Sequence, residues 1–364
     1  MKKRILIFSL LLVVLSALLL VGCAAETKPE PEQETIPEVE VIDTTEPNLY
    51  EPEEPDEEYV PVPDEPEPAV GFAIHGAIHR VEYGDNVAYI FGTLHGSRPE
   101  WFPLSDIVED AMARADVFAL EFDMSDMGAL EAEMEELMFL SDGQTWADVL
   151  PQAAYDHLVY VIASYEIPYE DVRNMNPVLL VYTIALEFIS LLSDVDMITT
   201  VDGYVRDIAL ARGLPVIGLE TVAQQMDIVF NPPIDVAVEQ IMEFLPPMEM
   251  LMEIMNSDEA SLDELADMYE SNDISAIAEA FARTSSVEAT IDSPAGIYSR
   301  EIIMNYRSTY YANAIARLLR ETEEPTTFFV AVGLSHVMRS LGGEEFTDIV
   351  EQLGLLGFEV VPLW

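Results

Sequence analysis

The spacing of apolar positions changes several times along this chain, and each change marks an element. "AIHRVEYGDNVAYIFGT" (77–93) alternates apolar and polar residues and turns at Gly84-Asp85-Asn86, which predicts a β-hairpin. Ser105 is placed to cap a helix over "DIVEDAMARA", and "DVFALEF" (116–122) has the continuous apolar character of a buried strand. Helical spacing then runs from about 126 to 192, broken at "SDGQT" (141–145), "IPYE" (167–170) and Asn176-Pro177. "DGYVRDIALARG" (202–213) is a helix that stops at Gly213, and "LPVIGLE" (214–220) is the next strand. A second helical stretch, Met-rich and acidic, spans 222–290, with breaks at Pro232-Pro233 and Pro246-Pro247. A long amphipathic helix (301–320), a strand (326–332), a helix (345–354) and a last strand (357–363) complete the chain.

Strands that alternate with helices predict an α/β fold with a mainly parallel central sheet flanked by helices. The two long helical stretches read as insertions, about 126–192 and 222–290, that form a cap over the carboxyl edge of that sheet.

The N-terminus follows another logic. Lys2-Lys3-Arg4 precedes an uninterrupted apolar run from Ile5 to Leu20, which reads as a signal peptide over residues 1–22. The run ends in Leu20-Val21-Gly22-Cys23, which resembles the lipobox of bacterial lipoproteins, in which the cysteine is lipidated. Cys23 is the only cysteine, so no disulfide forms within the chain. Residues 26–70 are dominated by Pro and Glu and cannot bury enough apolar surface to offset their ordering entropy. With lipidated Cys23 they read as a disordered, acidic stalk. The expected location is extracytoplasmic, anchored to the membrane through Cys23.

Charge narrows the function. The chain carries a formal net charge of −52, and residues 26–70 hold only 17 of its 68 acidic residues. A body this acidic lacks the basic face that nucleic-acid binding requires.

Four of the expected strands finish alike. "VAYIFG" leads to His95, "VFAL" to Glu121, "LPVIGL" to Glu220 and "TTFFVAVG" to His336. Sites in open α/β sheets lie beyond the carboxyl ends of the strands. Two imidazoles and two carboxylates there make either a metal site or an acid/base site. Imidazole nitrogen and carboxylate oxygen suit zinc, manganese, cobalt or iron. His95 and His336 are the expected metal ligands together with Glu121 or Glu220, and the other glutamate is left to activate water. Both histidines follow a G-x-x-H pattern, Gly92–His95 and Gly333–His336, and the glycine is expected to supply a tight turn out of the sheet. A third match, Gly76–His79, lies in the first hairpin strand and is set aside, as are His75 and His157. Asp123 is an alternative to Glu121. Glu220 is an alternative cap for the helix that begins at Thr221. Arg307, one of few cations in the body, is a candidate for orienting a carboxylate or holding an anion. Neither G-x-S-x-G nor H-E-x-x-H occurs.

The blocks "YIFGTLHGSRPEWFPLSDIVEDAMARADVFALEFDM", "VDGYVRDIALARGLPVIGLETVAQQ" and "FFVAVGLSHV" together resemble the TraB/PrgY/GumN family, whose animal relatives are the TIKI proteins. The resemblance covers about residues 72–364. The family's hallmark is two G-x-x-H motifs with a glutamate between them. Arg307 falls where the family often has Arg-Asn; here Ser308 follows it. TIKI proteins are described as metal-dependent proteases that favour manganese or cobalt, and the pheromone-shutdown relatives reduce peptide-pheromone activity. The resemblance therefore implies a cell-surface, metal-dependent hydrolase of peptidase type. It would use manganese, cobalt or zinc and act on an extracytoplasmic peptide or protein. The competing expectation is a non-catalytic lipoprotein that binds a metal, haem or a peptide at the same edge.

Overall fold

The computed structural model describes residues 78–123, 134, 136–192, 195–197, 199–243, 245, 247–248, 266–267, 269–270, 292–338 and 346–363. The expected leader, Cys23, the acidic stalk, His75, and most of the Met-rich run at 241–255 lie outside the described residues. Among the described residues, no helix is long and apolar enough to cross a membrane.

Six strands form one mixed sheet in the order β4-β3-β5-β2-β1-β6. β1 (Ile78–Tyr83) and β2 (Asn86–Thr93) are the antiparallel hairpin, with Tyr83 paired to Asn86. Gly84 takes φ +62 in the turn, a conformation that favours glycine. Asn86 belongs to β2 rather than to the turn. Its side-chain amide donates to the carbonyls of Leu319 (3.0 Å) and Thr322 (2.8 Å), and its carbonyl accepts from the Thr326 amide (2.9 Å). One short side chain thus joins the hairpin to the helix and strand that arrive more than 200 residues later.

β3 (Val117–Phe122), β4 (Val216–Glu220) and β5 (Thr327–Gly333) run parallel to β2, and β6 (Val360–Pro362) pairs antiparallel with β1. The fold is α/β, as the alternation of elements predicts. β5 lies at the centre, and its apolar run "TFFVAVG" is buried almost throughout. The Phe329 ring packs between Phe91 and Phe118, with centroids 5.9 and 5.6 Å away. Each such ring contributes about 1.5–3 kcal/mol by leaving water.

α1 (Asp106–Arg114) links β2 to β3, and α4 (Val201–Ala211) leads into β4. α7 (Arg307–Glu321) leads into β5, and α8 (Ile349–Leu355) into β6. Residue parity on β3 shows that α4 and α7 cover opposite faces. Arg212, just past α4, lies over the Phe118 ring, whereas Glu121, of opposite parity, meets Arg307 and Tyr311 of α7. Ser105 occupies the N-cap position of α1, but its side chain makes no cap bond. The Leu104 amide instead donates to Glu109 Oε1 at 2.9 Å.

The insertions contain α2 (Gln152–Ser164), α3 (Pro177–Leu192), α5 (Val222–Phe230) and α6 (Ile234–Glu243). Asn176 caps α3 through Oδ1, which accepts from the Val178 and Leu179 amides. The insertions build a separate core around Trp146, Leu158, Ile162, Val181 and Ile241. Phe122, the last residue of β3, packs with Val178 and Leu179 of α3 and with Val222 and Met226 of α5. The cap is therefore seated on the carboxyl end of β3. The expected helix at 301–320 divides: a π-helical segment, Ser299–Tyr306, precedes the regular α7, which begins at Arg307. Such π-turns occur frequently at functional sites.

Candidate active site at the carboxyl edge of the sheet

Reading across the sheet edge in the order β4, β3, β5, β2, the strand ends present Glu220, Glu121, Gly333 with His336, and His95. The connections leaving β3 and β5 run in opposite directions, to β4 on one side and toward β6 on the other. The crevice between β3 and β5 is therefore a topological switch point, where ligands of open α/β sheets bind.

Glu121 lies at the middle of the arrangement. Its Oε1 accepts from the Gly333 amide at 2.8 Å, and its Oε2 accepts from Arg307 Nη2 at 2.8 Å. Gln225 Nε2 approaches the same Oε2 at 3.4 Å. Burial pushes the Glu121 carboxyl up, but Arg307, the two histidines and the Gly333 amide outweigh it and hold the group at about 2.

Glu220 is one strand further out. Its Oε1 accepts from Arg307 Nε (3.2 Å), Arg307 Nη2 (2.7 Å) and the Tyr311 hydroxyl (2.6 Å). Arg307 therefore clamps both glutamates. A guanidinium suits this task because its donors fan out in a fixed plane. Two buried carboxylates against one buried cation leave an excess negative charge. Thr221, not Glu220, caps α5: its hydroxyl accepts from the Gln224 amide in a capping box. That frees the Glu220 carboxylate for the cluster.

His336 is turned back over the sheet by a short 3-10 turn, Leu334–His336. Its Nδ1 lies 2.9 Å from Ser308 Oγ, and its ring meets the Tyr311 ring edge-on at 5.2 Å. Burial pushes this imidazole down to about 4, with Arg307 and His95 adding to the effect against Glu121. His336 is neutral at pH 7.

His95 has the opposite character. Its Nδ1 donates to Asp202 Oδ2 at 3.0 Å. Asp202 sits in the first turn of α4, where the helix dipole favours a carboxylate, and its Oδ1 accepts from Thr93. Asp202, through its charge and its hydrogen bond, pushes the His95 imidazole up to about 9. The side chain is 64% exposed, so water screens part of that attraction. The loop that carries His95 is held close by Gly96, where a methyl group would lie 2.7 Å from Val195 Cγ1. That approach permits the two backbone hydrogen bonds between Ser97 and Asp196.

The motif glycines do not act as turns. Gly92 lies inside β2 and Gly333 is the last residue of β5, at the start of the 3-10 turn, and neither takes a positive φ. At Gly333 the missing side chain matters for space. A methyl group there would lie 3.2 Å from Glu121 Oε1, 3.6 Å from His95 Nε2 and 3.7 Å from His336 Cδ2. Three side chains from three strands thus surround one point. Asp123 lies just beyond β3, and His157 lies on α2.

The donor types at that point fit a divalent metal in part. Both imidazoles are gripped through Nδ1, which leaves Nε2 as the ligand atom, the arrangement common around metal-bound histidine. Both Glu121 oxygens are engaged by hydrogen bonds, so it would ligate only through remaining lone pairs. Among the described residues, no group of three or more His, Cys, Asp or Glu side chains is gathered as a metal site. His95 and His336 are the residues that would hold the ion, with Glu121 beside them.

A model of the TraB/PrgY/gumN family matches residues 77–343, most of the chain. The chain belongs to this family. No curated protein and no solved structure matches it. The TraB/PrgY/gumN match includes all five of His95, Glu121, Glu220, Arg307 and His336, and ends before α8 and β6. Asp202, Ser308 and Tyr311 escape sequence reasoning, although each bonds to one of those five. Asp202 stands within a block that carries the family resemblance, "VDGYVRD". Ser308 is the position where the chain departs from the Arg-Asn pair, and it meets His336.

Proposed function

We propose that this protein is a metal-dependent hydrolase of peptidase type, acting outside the cytoplasm on a peptide or protein and tethered through Cys23. One observation carries the reading: both motif histidines are held through Nδ1 while their free edges face the same gap beside Glu121 and Gly333. A divalent cation in that gap would supply positive charge to polarise a carbonyl and acidify water.

The chain's own residues divide the remaining work. His95, fixed by Asp202, and His336, fixed by Ser308, would hold the ion. Glu121 is anionic and stands at the gap, where a remaining lone pair of its carboxylate would align the water that attacks the carbonyl. Arg307 keeps Glu121 aligned and stabilises negative charge that develops on the carbonyl oxygen. Glu220 and Tyr311 lock Arg307 in place. The helical cap covers the edge of the sheet and limits which chains enter.

The test pairs metal analysis with peptide digestion. The purified full chain should take up manganese, cobalt or zinc and cleave members of a peptide library when that metal is added. His95→Ala and His336→Ala should each lose both properties. If neither substitution changes metal content or cleavage, the reading fails.

A further inference from the structure

At the end of β4 lies a cavity of about 120 Å³, lined by Glu220, Gln224, Asp227, Ile228, Tyr306 and Tyr310. That is several times the space one water needs. Its floor is Glu220, whose side chain is only 3% exposed. All three hydrogen bonds to this carboxylate arrive at Oε1. Oε2 receives none among the described residues, which leaves one oxygen of this cavity-lining carboxylate able to accept. At the rim stands Asp227, exposed on α5 one turn beyond Gln224; its Oδ1 accepts from the Asn231 side chain at 3.2 Å. The walls are aromatic. The Tyr306 and Tyr310 rings stack at 6.2 Å with an interplanar angle of 29°, and Tyr306 is 52% exposed.

We propose that this cavity is a subsite for a cationic side chain, a primary ammonium or a guanidinium on an apolar stem, of the peptide that the hydrolase reading places along the sheet edge. Three features select that chemistry. Two carboxylates and no cation line the cavity. Tyrosine faces attract cations through their ring quadrupole. Ile228 and the ring edges pack against methylenes while the charged head reaches Oε2, which a neutral head would leave unpaired. Glu220 is two strands from β5, about 10 Å at ordinary strand spacing, or about three extended residues. The cationic residue therefore lies about three positions from the bond held at the histidines.

The experiment follows binding, not cleavage. Nα-acetyl-lysine methylamide and its norleucine counterpart are titrated into the full chain with labelled tyrosine, and the ring resonances are recorded. The lysine probe should shift the Tyr306 and Tyr310 signals and bind about tenfold or more tightly than norleucine. Asp227→Asn and Tyr306→Leu, both at the rim, should each weaken the lysine probe several-fold and leave the norleucine probe unchanged. His95→Ala should leave all of this intact. Equal binding of the two probes, or indifference of the lysine probe to both rim substitutions, overturns the subsite. Selective lysine binding by a chain that takes up no metal and cleaves no peptide keeps the subsite and overturns the hydrolase reading alone.

Discussion

Asp202 Oδ2 lies 3.0 Å from Nδ1 of His95, and this contact gives the two motif histidines opposite charge states. His95 is pushed up to about 9 and His336 down to about 4. Removing the Asp202 charge should bring the His95 pKa down toward the ordinary imidazole value. Above about pH 9, where His95 is neutral in both proteins, Asp202→Asn is expected to lower metal affinity about 10- to 100-fold, with the pKa change followed by a histidine NMR titration of the metal-free protein. An unchanged titration would show that the contact does not set the charge.

The same pair would set the pH dependence of the proposed metal uptake. A ligating imidazole must be neutral. His336 already is above about 4, whereas His95 carries a proton up to about 9, somewhat less with screening. Metal binding near neutral pH should therefore release about one proton, with affinity rising about tenfold per pH unit through that window. Calorimetry in buffers of different ionisation enthalpy counts the proton. A count near zero or two contradicts the assignment.

Gly333→Ala tests the gap directly. The added methyl would meet Glu121 Oε1 at 3.2 Å and the two imidazoles at 3.6 and 3.7 Å, while φ −50 at this position suits any residue. We expect thermal stability within about 1 kcal/mol of wild type, in the range of modest packing changes. Metal uptake should be lost.

Arg307 holds two buried carboxylates, and its loss would leave both uncompensated. Arg307→Met should destabilise the fold by about 3–5 kcal/mol, measured by urea unfolding. The triple variant with Glu121→Gln and Glu220→Gln should recover much of that loss, because no buried charge is then stranded.

Acid stability provides a further check. The folded Glu121 carboxyl is held at about 2, below its ordinary value of 4.5. Its contribution is fully present above pH 4.5 and is lost as pH falls through 2, an effect on the order of 3 kcal/mol. Glu121→Gln should flatten the stability curve over that interval.

The strands and their sites were readable because each ends an apolar run at a chemical group: "VFALEF" cannot be buried without disposing of Glu121. Boundaries moved by a few residues where capping, not periodicity, decides, as at α8, which starts at Ile349 behind the N-cap Asp348, whose side chain accepts from the Glu351 amide. Asp202 and Ser308 were hidden for a different reason. They lie on helix faces that sequence spacing marks only as polar or small, and their value comes from a histidine on a distant strand. The role of Gly333 was misread for a similar cause. Sequence offers conformational freedom as the usual reason for glycine, whereas here an absent methyl group leaves room between strands.

Because β5 slots between β2 and β3, the four reactive side chains belong to a seam that closes only when residues near 330 arrive. A chain interrupted before that point has His95 and Glu121 flanking an empty lane in the sheet. The lane between β2 and β3 is thus filled by the last of the four site-bearing strands to be made, and the site's geometry is set by that late insertion.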